Sequence, residues 1–230
     1  MTQPPSRSAR RPDPLSKGRI IEAAVAILDA DAGDDPDHAA AGLTLRNLMA
    51  RLETGSGAIY HHVATMGELR AAAADEVLRQ HLDAITADAE PDAALRAVAL
   101  GTFESIRAHP WVGAQLRRTS LQPAVVRIWK TIGTQLGRLG LHGADAAAAG
   151  STLTSFILGS VGEIGASPSR RSEGGEREAH LSALAMRWLE MDDDPLVEDI
   201  AAQLREHDDL QQFRGGVDII LRGIATRPPD

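Results

Sequence analysis

Apolar positions along this chain recur at three- and four-residue spacing, and no segment alternates with period two over a convincing length. From Leu15 to about Asp31 the helical repeat is carried by Ile20, Ala24, Ile27 and Leu28. Residues 32–42 interrupt it with Gly33, Asp34, Asp35, Pro36 and Asp37, which read as an acidic loop. A short helix is predicted from Leu45 to Leu52, with Thr44 as its N-cap. Glu53-Thr54-Gly55 then reads as a tight turn, and a third short helix runs through Ala58, Ile59 and Tyr60. From about Gly67 to Thr86 a longer helix carries Leu69, Ala73, Val77, Leu78 and Leu82 on one side.

The rest of the chain reads as a second helical unit. Pro91 sets the start of a helix that runs to about Ala108 and is broken at His109-Pro110. The break follows because proline disfavours helical geometry in the residue before it. A short helix from Trp111 to Arg118 and a longer one from Pro123 to Leu139, closed by Gly140, come next. The stretch from Ala144 to Ala166 is a long helix rich in small residues, followed by a polar, glycine-rich loop from Ser167 to Gly175. Helices are predicted over about 176–191, about 195–206 and from Phe213 to Ala225. No internal repeat is present, and the fold class is all-α.

Composition supports this and narrows the chemistry. Alanine, the best helix former, supplies 38 of the 230 residues, and β-branched and aromatic runs are scarce. There is no cysteine, which excludes disulfides, thiolate metal sites and cysteine catalysis. No apolar run is long enough to cross a membrane, and the charged, proline-rich N-terminus has no apolar stretch behind it. The expectation is a soluble cytoplasmic protein. A net charge of −8 argues against a uniformly cationic nucleic-acid binder, but the charge is segregated. Residues 1–19 hold five cations and one acid, whereas Asp29 to Asp37 holds five acids and no cation.

The chemistry concentrates between Leu43 and Leu69. Two short helices joined by a tight turn, the second one polar, match the arrangement of a helix-turn-helix. Leu45, Leu48, Met49, Leu52, Ile59 and Val63 pack inward on this reading. Arg46, Ser56, Gly57, Ala58, Tyr60 and His61 are left facing out. Small residues at 56–58 let a helix sink into a major groove about 12 Å wide, where Tyr60 and His61 reach phosphates or base edges. The same pattern also serves as a plain three-helix packing element.

The stretch carries a further signal in Leu43, Thr44, Arg46, Leu48 and Leu52, then Gly57, Ala58, Ile59, Tyr60, His62 and Val63, then Glu68 and Leu69. This pattern resembles the tetracycline-repressor family, and the preceding RIIEAAVAILDADAG is similar to that family's first helix. The resemblance is specific over residues 16–78; HPWVGAQL, GSTLTSFILGSVGE and QQFRGGVDIILRGI extend it into the ligand-binding part. It implies a homodimer on double-stranded DNA with reading heads in successive major grooves, and so a palindromic operator with half-sites about 34–36 Å apart. It also implies that Thr44 and Tyr60 contact phosphates and that Arg46, Ser56, Gly57, Ala58 and His61 face bases. His62 either contacts phosphate or packs inside. The implied domains are a flexible basic arm (1–14), a helix-turn-helix domain (15–66), a helical ligand-binding and dimerisation domain (67–226) and a tail (227–230).

Three departures from the family pattern stand out. Glu53 occupies a turn position that is usually glycine, which costs about 1 kcal/mol if the backbone there is left-handed. Ser56 and Met66 stand where the family often has lysine, which flattens the salt dependence of DNA binding. Arg7, Arg10 and Arg11 of the arm either replace those contacts through the minor groove or backbone, or belong to a disordered tail. The acidic loop repels DNA and is expected to lie away from it.

In the second unit, the small residues of 144–166 and the apolar stripe Phe213, Val217, Ile220, Leu221 and Ile224 suit either core packing or dimerisation. The resemblance favours a dimer through helices of about 144–166 and 213–225. The scarce aromatics Phe103, Trp111, Trp129 and Phe156, with Arg107, His109 and Gln115 nearby, are candidates for a small-molecule effector site, though each equally suits a core. In tetracycline-responsive members a histidine ligates magnesium at the place that aligns with Gln115, and Glu163 aligns with an acid that sits just behind the metal's own ligands. An amide is a poor substitute for imidazole, so no metal and no cofactor are expected, and the effector is a modest-sized apolar or aromatic compound.

No catalytic fingerprint is present, and His61-His62 point about 100° apart on a helix, so no enzyme is expected. The function expected is a ligand-responsive DNA-binding regulator, a repressor released when an effector shifts the helix near 67–86. The alternative is a helical dimeric ligand-binding or interaction protein whose DNA head is weakened.

Overall fold

The computed structural model describes residues 14–31, 42–85, 88–118, 121–166 and 175–226, with side chains omitted over 161–166. The basic arm up to residue 13, the acidic loop over 32–41, the loop over 167–174, the tail and the Glu163 side chain lie outside the described residues. Every regular element among those described is a helix. The head holds α1 (Lys17–Asp31), α2 (Leu45–Leu52) and α3 (Ser56–Tyr60). Then follow α4 (Met66–Leu82), α5 (Pro91–Ala108), α6 (Pro110–Arg118), α7 (Pro123–Arg138) and α8 (Gly143–Ala166). Last come α9 (Gly175–Met191), α10 (Pro195–Arg205) and α11 (Asp209–Ala225).

Local chemistry sets most of the boundaries. Thr65 caps α4 by accepting from the Glu68 N–H at 3.0 Å, and Glu68 Oε2 accepts from the Ala64 N–H at 3.2 Å, a reciprocal cap. Pro91, Pro110, Pro123 and Pro195 each stand in a first helical turn, where a missing N–H costs nothing. α4 ends at Leu82, short of the expected Thr86: the Asp83 carboxylate at its end is held by Arg79 at 3.1 Å and Arg127 at 3.3 Å. α11 starts at Asp209, four residues before the apolar stripe, because Asp208 caps it through the Gln211 N–H at 2.6 Å. A polar first turn gives no hydrophobic signal.

α4 is central. It packs on α1 of the head and on α5 and α7 of the body, so Leu69, Ala73, Ala74, Val77 and Leu78 are all buried. One hydrophobic cluster runs without a break from Ile20 in α1 to Ile224 in α11. α8 sits against α5, α6, α7 and α11, whereas α9 and α10 pack chiefly on each other. Polar ties reinforce this arrangement. Arg127 on α7 grips Asp75 on α4 with two bonds of 2.9 Å, and those bonds hold its guanidinium pKa above the ordinary value. Glu76 is held below the usual glutamate range, chiefly by its hydrogen bonds from Arg79.

One buried polar atom among the described residues is out of balance. Thr154 Oγ1 on α8 is buried without a hydrogen-bond partner. Urea unfolding of two variants should therefore move in opposite directions. Thr154→Val should gain about 1 kcal/mol by removing the unpaired hydroxyl, and Asp75→Asn should lose about 1–3 kcal/mol by breaking the charge-assisted pair. A destabilised Thr154→Val would show that the hydroxyl is bonded.

Candidate nucleic-acid interface

The head is built around Leu48 and Ile59, each at most 1% exposed, packed with α1 and α4. Thr44 begins α2: its Oγ1 accepts from the Asn47 N–H at 3.1 Å, and Asn47 Nδ2 donates to the Gly42 carbonyl at 2.8 Å. The Thr44 hydroxyl proton is not used in that cap, so it is available to an outside acceptor at the positive end of the helix dipole. α2 stops at Glu53, which adopts φ 50° and ψ 46° and is the sole non-glycine residue with positive φ among those described. Its N–H closes on the Met49 carbonyl, as in a left-handed helix cap. The strain expected at this position is therefore real.

α3 buries Ile59 alone. Ser56, Gly57, Ala58, Tyr60 and His61 are all exposed, the Tyr60 phenol by 48%, and Arg46 and Thr44 on α2 are exposed as well. A side chain added at Gly57 would meet nothing within 4 Å, so the fold itself does not require glycine there. His62 is half-buried, with its ring edge-on to His61 at 5.2 Å. The structure thus brings together the eight head residues singled out in the sequence, seven facing solvent and His62 partly inside.

The candidate effector residues are not gathered in one place. Phe103 lies 4.8 Å from Phe213 with the rings tilted by 33°, and Phe156 stacks on Phe213 at 5.4 Å, over Gly216, where a Cβ would sit 2.2 Å from its ring. Trp129 is 38% exposed and covers Gly150. Arg107 pairs with Glu104 at 3.0 Å on the surface. Gln115 is buried and donates to Gln122 Oε1 at 3.1 Å, tying α6 to the start of α7. His109 and Trp111 both reach Asp29 of α1. A groove of about 450 Å³, open to solvent, lies elsewhere, between the end of α4 and α5, lined by His81, Ala84, Ile85, Ala93, Ala97 and Gly101. Sequence reasoning passed over His81, whose Nδ1 is 2.9 Å from Ser105 Oγ, and also Asp29 and Asn47. Asp29 did carry a signal, since a carboxylate in the last turn of a helix opposes the dipole and calls for a partner. Among the described residues no three His, Asp or Glu side chains converge as a metal would need, and no helix is long and apolar enough to cross a membrane.

A transcriptional regulator from Streptomyces coelicolor, SCO7222, described as a TetR, is 36% identical to this chain. The alignment covers 92% of this chain and 98% of that one, with a TM-score of 0.78. The chain belongs to the TetR family. Among curated proteins, the HTH-type transcriptional repressor DrrR1 of Streptomyces coeruleorubidus is 31% identical over 67% of this chain. The match spans 56% of DrrR1, and 64% of a second relative, an HTH-type transcriptional regulator of Saccharopolyspora erythraea that is 26% identical over 68% of this chain. The TetR-family protein ActR of S. coelicolor, solved with actinorhodin, shares the fold at 23% identity and a TM-score of 0.73, covering 93% of this chain and all (100%) of that one. No protein-family profile matches the chain.

Within this TetR fold the turn gives a direct test of strain. Glu53→Gly relieves a left-handed L-residue, about 1–2 kcal/mol, but loosens the unfolded chain, so the net gain should be about 0.5–1 kcal/mol by urea or thermal unfolding. A loss of stability would contradict the left-handed turn.

Proposed function

We propose that this chain is a ligand-responsive transcriptional repressor that binds a palindromic DNA operator as a homodimer. One observation carries the reading: α3 spends a single residue, Ile59, on the core and offers Ser56, Gly57, Ala58, Tyr60 and His61 to the outside. A helix clothed in small side chains fits a major groove closely, and the phenol and imidazole flanking it can donate to phosphates and base edges. Arg46 and the Thr44 hydroxyl add contacts from α2, and His62 stays a backbone contact at most. The repressor named DrrR1 favours repression over activation. Such a protein works in the cytoplasm, beside the DNA, and no catalytic step enters the reading.

The homodimer is assigned to α8 and α11. Gly159, Gly215 and Gly223 have open space where a Cβ would be, and Ile219 is 66% exposed, so two copies can approach closely there. For the effector, the α4–α5 cavity has the volume of a small-molecule site and an alanine-rich lining. Ser105 donates its one proton to the Gly101 carbonyl at 2.7 Å, so His81 donates from Nδ1 to Ser105 Oγ at 2.9 Å. The effector class that suits this lining is apolar or aromatic. Phe103, Trp111, Trp129 and Phe156, with Arg107, His109 and Gln115, stay as candidates that act through the packing of the body. An effector shifts the equilibrium between head positions by its differential affinity for them, through α4.

Selection of duplexes from a random pool by the purified protein tests this directly. A palindrome with half-sites about one helical turn apart is expected, with binding weakened by Tyr60→Phe and His61→Ala and with a shallow salt slope, because Ser56 and Met66 supply no charge. Recovery of no palindrome would favour an interaction protein with a weakened head.

A further inference from the structure

We infer that Asp29, His109 and Trp111 are positioning residues that lock the head onto the body. The lock itself stands on geometry alone; only its effect on DNA affinity rests on the reading above. Asp29 lies in the last turn of α1, where its charge opposes the helix dipole and no residue of its own helix compensates it. Its Oδ1 accepts from His109 Nδ1 at 2.7 Å and from Trp111 Nε1 at 2.7 Å, partners 80 and 82 residues away.

Pro110 produces this convergence. It ends α5 at Ala108 and puts His109 at φ −130° and ψ 76°, so the chain turns before α6 begins. The corner sets the His109 and Trp111 rings edge to face, 6.4 Å apart, both pointing at α1. An indole N–H only donates and a carboxylate only accepts, so His109 must carry its proton on Nδ1 to share that oxygen. Because one oxygen takes both bonds, a small rotation of α1 breaks them together. The contact is closed or open, with little in between. Apolar contacts along α1 and α4 are less directional and can slide. α6 packs on α8 and on α4, so a shift of α6 reaches Asp29 directly through His109 and Trp111 as well as along α4.

Three variants of the full chain separate this from simple stability. Trp111→Phe keeps the buried ring and removes the donor, Asp29→Asn keeps the shape and removes the charge, and the double variant removes both. Hydrogen exchange at the amides of 45–60 should speed up about tenfold in either single variant, with 143–157 unchanged. The double variant should be little worse than either single one, because the two bonds share an atom. For a duplex recovered by selection, affinity should fall in both single variants, and little further in the double variant. Unchanged exchange over 45–60 in folded variants, or equal acceleration over 143–157, would overturn the lock. A wild-type protein that binds no duplex would instead overturn the DNA reading, and the exchange result would still decide the lock.

Discussion

Helix α4 is buried on two sides at once, and the rest of the structure is arranged around that constraint. Ala73 and Ala74 are fully buried next to Leu69, Val77 and Leu78, so α1 on one side and α5 with α7 on the other share its surface. Small alanines let the neighbours approach; larger side chains would hold them apart. The helix is fastened at both ends by polar groups. The Thr65–Glu68 cap fixes its entry from the head, and Arg127 clamps Asp75 at its middle and Asp83 at its exit. An open groove lies beside its last turn, between α4 and α5.

The parts of this design that depend on neighbours in sequence are legible from the residues. Thr44 announces α2, Glu53-Thr54-Gly55 announces the turn, and the small polar face of 56–61 announces a helix made to be approached. Even the strain at Glu53 follows from the departure from glycine, since the left-handed cap is set by backbone geometry. Helices opened by proline are equally clear. In the body, the periodicity of α11 identifies its buried face, but the polar turn that Asp208 caps is silent.

What escapes the sequence is long-range and chemical. His109 and Trp111 look like pocket residues because scarce aromatics near a kink are the usual material of ligand sites. Their partner is 80 residues away in another unit, and only the fold brings Asp29 to them. The same holds for the Arg127–Asp75 clamp and for His81, an ordinary exposed helical histidine until the fold sets it beside Ser105 at the edge of an alanine-lined groove. Phe103, Phe156 and Phe213 show the reverse: three aromatics used to stack the body together, with Gly216 making room.

Charge misleads as a guide to partner here. The chain carries a net charge of −8, yet the exposed face of α3 holds no acid, and its groups are small side chains, a phenol and an imidazole. Hydroxyl-radical footprinting of a selected duplex tests this account most directly. Two protected patches about 34–36 Å apart on one face of the duplex are predicted, with the major groove between the patch edges shielded from base-modifying probes. A single patch, or protection that follows the minor groove with base probes unaffected, would contradict it.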